Sequence, residues 1–159
     1  MEIKVGMADM NVCTAPDSII TLGLGSCVGV VVWDKQTKIC GMVHVMLPDS
    51  TAISQNSNTA KFADTGIEEL VKKVVAIGAG RARLVAKIAG GAQMFKVSTA
   101  SPSLRVGERN VEAAKKKLAE LKIPLIAEDT GDSYGRTVIF YPETGVYKIR
   151  AIGREEFEI

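Results

Sequence analysis

A chain of 159 residues, 47% hydrophobic and 24% charged, has the size and composition of one soluble globular domain able to bury roughly 68 to 70% of its unfolded surface. Its formal net charge of +2 does not single out nucleic acid as a partner, and no run approaches ~18 apolar residues. Met1 to Gly6 lacks the apolar stretch of a signal peptide and the three cysteines are an odd number, so a cytoplasmic protein with no membrane insertion and no disulfide framework is expected.

In chain order, residues 2 to 9 and 11 to 14 read as short strands, with Ala15-Pro16-Asp17-Ser18 as a break before Ile19-Ile20-Thr21-Leu22. The glycine-rich stretch Thr21-Leu22-Gly23-Leu24-Gly25-Ser26-Cys27 follows, then the β-branched and aromatic run Val28 to Trp33, which predicts a strand. Asp34 to Lys38 is a polar turn and Ile39 to Leu47 a second apolar strand, so the two should form a hairpin. Pairing Asp34 with Ile39 sets Gly29 opposite His44, the only histidine, and leaves Cys27 on the same face one diagonal step away, about 7 to 8 Å. A tighter turn at Lys35-Gln36 puts Cys27 directly opposite His44, at roughly 4.5 to 5.5 Å between Cβ atoms. Both registers bring thiol toward imidazole, whereas a slip by one residue separates them onto opposite faces. Because both faces of the hairpin are apolar, its strands should be central and covered on both sides.

Pro48-Asp49-Ser50 ends the second strand, and a polar loop over residues 49 to 60 is expected to border whatever site includes His44. From about Thr59 to Gly78 the residues Phe62, Ile67, Leu70, Val71, Val74 and Val75 recur at helical spacing. Leu84 to Ala89 reads as a buried strand ending on Gly90-Gly91, and Ala92 to Phe95 as the start of a turn or short helix. A second helix is expected from Glu108 to Leu121, with Val111, Ala114, Leu118 and Leu121 inward and Lys115-Lys116-Lys117 outward. Leu125 to Glu128 is a further strand, residues 131 to 136 a loop, and Thr137 to Tyr141 with Val146 to Ile152 a hairpin. The expected fold is α+β: a strand-rich layered sandwich with helices covering the sheet faces, in a single domain.

Taken alone, Cys27 reads as a small core hydrophobe and His44 as a hydrogen-bonded core histidine. Their setting favours chemistry. Gly25-Ser26-Cys27-Val28-Gly29 has the G-x-nucleophile-x-G spacing that clears Cβ bulk from around a nucleophile, although the helix that usually follows such an elbow is replaced by a strand. A neighbouring imidazole lowers a thiol's pKa and can return the proton to a leaving group, so Cys27 is expected to be partly ionised near neutral pH and more reactive than Cys13 and Cys40. Thr21 carries a hydroxyl able to accept from the other ring nitrogen, more weakly than a carboxylate would. A zinc site from Cys13, Cys27, Cys40 and His44 is disfavoured, since Cys40 and His44 lie about 13 Å apart along one strand at ~3.3 Å per residue. Neither a metal nor a cofactor is expected. Arg81, Arg83 and the lysine triplet read as solvated faces, not as a nucleic-acid surface.

The chain resembles the CheD family of bacterial and archaeal chemotaxis proteins. The resemblance rests on Gly23-Leu24-Gly25-Ser26-Cys27-Val28, His44-Val45-Met46-Leu47-Pro48, Lys87 to Phe95, Gly107-Glu108-Arg109-Asn110-Val111 and Gly131 to Arg136. In the last of these, Asp132 stands where a second glycine is expected. The resemblance implies one CheD-like domain over residues 1–159, a deamidase of chemoreceptor glutamines, and a triad falling on Cys27, His44 and Thr21. It also implies a sandwich of sheets related to bacterial deamidase toxins, and association with the phosphatase CheC. On this reading the Cys27 thiolate attacks the carboxamide of glutamines on chemoreceptor cytoplasmic helices. Backbone N–H groups near Cys27, with Gly25 and Ser26 as the named residues, would stabilise the oxyanion. Two alternatives remain: a binding module that regulates CheC with an inert Cys27, and a redox thiol protein, for which Cys40 lies far down the partner strand from Cys27.

Overall fold

Residues 1–52, 57–93 and 105–159 are described by a computed structural model. The β-branched run β4 (Val28–Asp34) pairs antiparallel with β5 (Ile39–Val45), Asp34 opposite Ile39 and Gly29 opposite His44, which is the first of the two expected registers. Every residue of both strands is buried, as two-sided apolar patterning requires. They form the middle of a sheet ordered β2-β5-β4-β6-β7, with β2 at Met10–Thr14, β6 at Val85–Gly90 and β7 at Leu125–Thr130.

A second sheet is ordered β1-β3-β8-β9-β10, from β1 (Glu2–Val5), β3 (Ser18–Leu24), β8 (Arg136–Tyr141), β9 (Val146–Arg150) and β10 (Phe157–Glu158). Alternation along β4 divides the core. Val28, Val30 and Val32 face the helices α1 (Ala63–Ala76) and α2 (Val106–Glu120), while Cys27, Val31 and Trp33 face Val138, Phe140 and Tyr147 of the other sheet. The result is three layers, sheet on sheet with the two helices outside the sheet that carries β4 and β5, in agreement with the expected α+β sandwich. Among the described residues no helix is long and apolar enough to cross a membrane.

Packing, not capping, holds α1. Its N-cap Phe62 offers no side-chain hydrogen bond, a contribution of about 1 kcal/mol elsewhere, whereas Ile67, Leu70 and Val74 are fully buried at about 1.5 to 3 kcal/mol each. Asp34, at the end of β4, is buried yet charged: it accepts from Arg83 and from the N–H groups of Gly80 and Gln36. Arg83 therefore anchors the connection after α1, where the sequence suggested a solvated face.

Several boundaries differ from expectation. β1 stops at Val5, because Gly6 to Asp9 turn away toward β2. β9 ends at Arg150, leaving Ile152 fully exposed. β10 was not anticipated, and its two residues pair with Ile149 and Lys148. Of the turn expected at Ala92 to Phe95, Ala92 and Gln93 have no regular structure, and Met94 and Phe95 lie outside the described residues.

Candidate active site

The connection from β3 to β4 is where the chain passes from one sheet to the other, and Cys27 sits at its end. β3 and β8 shift register between Thr21 and Leu24, and Gly23 takes a φ of +72°, a conformation glycine adopts without strain. β3 pairs with β8 again at Leu24, and the residues between there and β4 carry the chain across, so that Thr21 stays on one sheet while Cys27 is delivered to the other. His44 reaches the same layer from β5. With Gly29 opposite His44, Cys27 lies on the same inward face one diagonal step away, and the space that a side chain at Gly29 would need is taken by the Tyr147 hydroxyl, which donates to the Gly29 carbonyl at 2.9 Å.

Thr21 and His44, on opposing sheets, meet directly: Oγ1 lies 2.7 Å from Nδ1. The threonine hydroxyl donates to the Val5 carbonyl at 2.8 Å, so the proton between Oγ1 and Nδ1 must belong to the ring. Nδ1 carries hydrogen and Nε2 is the lone-pair nitrogen. Nε2 is buried and has no hydrogen-bond partner among the described residues. The histidine backbone is held as well, its N–H donating to Asp9 and its carbonyl accepting from Ala8.

Thr21 is 1% exposed, His44 0% and Cys27 8%, so all three residues are buried. Burial pushes the Cys27 thiol above its ordinary pKa, only partly offset by its own backbone N–H, and burial pushes His44 down. Both shifts favour neutral groups. Burial thus weighs against the expected partial ionisation of Cys27 and toward a neutral thiol and a neutral imidazole.

Three consecutive carbonyls around the nucleophile are taken from behind. Gly25 C=O accepts from the Ala92 N–H at 2.8 Å, Ser26 C=O from Asn110 Nδ2 at 2.9 Å, and Cys27 C=O from the Gly91 N–H at 2.8 Å. The Gly25 N–H is itself engaged by the Gly23 carbonyl, which removes it as an oxyanion donor, contrary to expectation. Among the described residues no carbonyl accepts from the N–H groups of Ser26 and Cys27, and the Cys27 N–H acts only on its own sulfur.

Asn110 is the residue sequence reasoning passed over. It is fully buried on α2, and Nδ2 also donates to the Met46 carbonyl at 3.0 Å, just beyond His44. The available signal was an asparagine on the inward stripe Gly107, Asn110, Ala114 and Leu118. The loop from Gly131 to Arg136 braces the same region: Gly131 N–H donates to Gly90 and Gln93 N–H to Asp132, and Asp132, which stands where a second glycine is expected, has a φ of +57°.

Cys13 and Cys40 do not join this site. They face each other across β2 and β5 with sulfurs 3.5 Å apart. Among the described residues no group of three His, Cys, Asp or Glu side chains could hold a metal ion. Of the polar loop expected to border the site, residues 53–56 lie outside the described residues. Asn58 near its end donates to Ala8, whose own N–H holds the His44 carbonyl.

Residues 46–151 match the family model described as CheD chemotactic sensory transduction. The chain is 62% identical over 157 residues to a probable chemoreceptor glutamine deamidase CheD of Lachnoclostridium phytofermentans, covering 99% of this chain and 98% of that protein. It is 55% identical over 158 residues to the chemoreceptor glutamine deamidase CheD of Halalkalibacterium halodurans, covering 99% and 98%, and 52% identical over 151 residues to a probable one of Caldanaerobacter subterraneus, covering 95% and 93%. With a family model over most of its length and relatives matched nearly end to end, the chain belongs to the CheD family.

Proposed function

We propose that this chain is a cytoplasmic protein-glutamine deamidase that converts glutamines on chemoreceptor cytoplasmic helices to glutamate through a Cys27 thioester. The observation that carries the reading is the buried Nε2 of His44, unpartnered among the described residues and held as a proton acceptor by the Thr21 bond on the face that Cys27 shares. Nε2 takes the thiol proton as sulfur bonds to the carboxamide carbon and the C=O electron pair moves onto oxygen. The imidazolium gives that proton to nitrogen, the C–N bond breaks, and ammonia leaves a thioester behind. Water then adds with His44 as base, the C–S bond breaks, the thiol recovers its proton, and glutamate is released. The N–H groups of Ser26 and Cys27 are assigned to the oxyanion in both tetrahedral stages. The neutral pair that burial favours suits proton transfer coupled to attack. Hydrolysis of receptor glutamyl methyl esters would use the same groups.

The names of the relatives support the substrate. Association with CheC, the other implication of the family resemblance, is a binding role that needs no thiol and can coexist with catalysis. Mass spectrometry of a receptor cytoplasmic fragment after incubation tests the reading: glutamine peptides should gain the mass of amide-to-acid conversion with wild-type protein and not with Cys27→Ala or His44→Ala. A folded Cys27→Ala protein that still converts glutamine would overturn the mechanism. Retention of CheC by that variant would show the two roles to be separable.

A further inference from the structure

Resting on the deamidase reading above, we propose that Asn110 is the positioning residue of the oxyanion hole. A trans peptide is planar, and its C=O and N–H point in opposite directions. Whatever holds the Ser26 carbonyl from behind therefore aims the Cys27 N–H forward, and that group is Asn110 Nδ2, at 2.9 Å. In the preceding peptide the Ala92 N–H holds the Gly25 carbonyl and so aims the Ser26 N–H. Among the described residues no carbonyl accepts from either of the two N–H groups thus oriented.

The orientation of the Asn110 amide is forced. Both of its short contacts are to carbonyl oxygens, so nitrogen must face Ser26 and Met46 and the oxygen must face away. Among the described residues that buried oxygen has no partner, a desolvation cost carried by a side chain that could have been apolar at this place in the helix. The double donation is what only this orientation supplies. It also ties the segment ahead of Cys27 to the segment after His44, so the oxyanion donors and the imidazole are held in one frame.

Alkylation separates this role from general support. Displacement of iodide from iodoacetamide by Cys27 needs the thiolate but develops no oxyanion on a carbonyl, whereas deamidation needs both. The experiment uses the full chain with Asn110→Leu and Asn110→Ser, which remove two donors and one donor without adding a charge near the thiol. On protein with native circular dichroism, deamidation of the receptor fragment and iodoacetamide labelling of Cys27 are followed in parallel. The expected result is a fall in kcat of about thirtyfold to a hundredfold for Asn110→Leu and a smaller one for Asn110→Ser, with KM within threefold and labelling within twofold. A kcat within threefold of wild type in either folded variant overturns the inference. So does a fall in labelling that matches the fall in kcat, since Asn110 would then support the triad or the fold and not the hole. If Asn110→Leu does not fold, Asn110→Ser decides alone. Failure of the deamidase reading looks different: wild type and Cys27→Ala would then be equally inactive or equally active on the receptor fragment, and the inference falls with it.

Discussion

The Thr21 hydroxyl stands 2.7 Å from His44 Nδ1 and gives its own proton to the Val5 carbonyl, so a neutral side chain from the opposite sheet determines which nitrogen of the imidazole is free. A carboxylate in this place would do the same with a charge. Threonine does it by having a single proton, already committed elsewhere.

Thr21→Val tests the consequence. The shape is kept, but the Val5 carbonyl and Nδ1 both lose their partner in a buried setting, and an unsatisfied buried group costs about 1 to 3 kcal/mol. The variant should lose about 2 kcal/mol in urea unfolding. It should lose at least tenfold in kcat, because the ring is free to present the wrong tautomer and ~1.4 kcal/mol is already a factor of ten. Thr21→Ser should restore most of both. A Thr21→Val enzyme within twofold of wild type would show that the ring needs no help from this hydroxyl.

The pH dependence follows from the two burial shifts. A depressed His44 remains neutral, and able to accept the thiol proton, at pH values below its ordinary 6.5, so the acid limb of kcat/KM should fall below that value. A raised Cys27 means that iodoacetamide labelling in the free protein should keep climbing through and beyond the ordinary thiol range without a plateau near neutrality. The stability sign agrees: with the folded imidazole pKa depressed, the unfolded chain binds the extra proton, and stability is lost as pH falls from 6.5 through the folded value. A flat labelling profile from neutral to alkaline pH would instead indicate a preformed thiolate.

The hairpin register was legible because a five-residue polar turn and two apolar runs leave few ways to pair Asp34 with Ile39, and from it the shared face of Cys27 and His44 follows. Thr21 was legible as chemistry but not as geometry, since its contact with His44 depends on how one sheet closes over the other. Asn110 was beyond sequence reasoning for a related reason: its partners are fixed by where α2 docks. The opposition of Cys13 and Cys40 went unseen because nothing local says that β2 pairs with β5. For the ionisation of Cys27, the spacing shows proximity to imidazole but not the burial that pushes the thiol up. β10, at two residues, is too short to have a period.

Asp34 gives an acid-stability prediction away from the site. Burial alone would raise its carboxyl, but hydrogen bonds from Arg83 and from the N–H groups of Gly80 and Gln36 outweigh it and hold the group well below the usual carboxylate range. Its contribution to stability is therefore complete above the unfolded value of about 4 and is lost as pH falls toward the folded one. Asp34→Asn should cost about 1 to 3 kcal/mol at pH 7, and the difference between variant and wild type should shrink steadily below pH ~4. Parallel urea titrations at several pH values would check this, and a constant difference down to strong acid would mean that the charge contributes nothing.

Gly107 links the helix to the nucleophile. A Cβ there would collide with the Ala92 carbonyl oxygen and come within 2.6 Å of that of Gly91, and backbone cannot swing aside as a flexible side chain can. Gly107→Ala must therefore lift the first turn of α2 away from the stretch that holds the Gly25 and Cys27 carbonyls, and Asn110 lies one turn further along the same helix. Overpacking of this kind costs about 1 to 3 kcal/mol. The catalytic cost should come through Asn110, whose bonds of 2.9 and 3.0 Å to Ser26 and Met46 do not survive a displacement of about 1 Å. If so, the two substitutions share one mechanism and will not add: Gly107→Ala combined with Asn110→Leu should lower kcat little more than Asn110→Leu alone, while the losses in urea stability accumulate more nearly independently. Full additivity in kcat would show that the helix and the asparagine act on catalysis by separate routes.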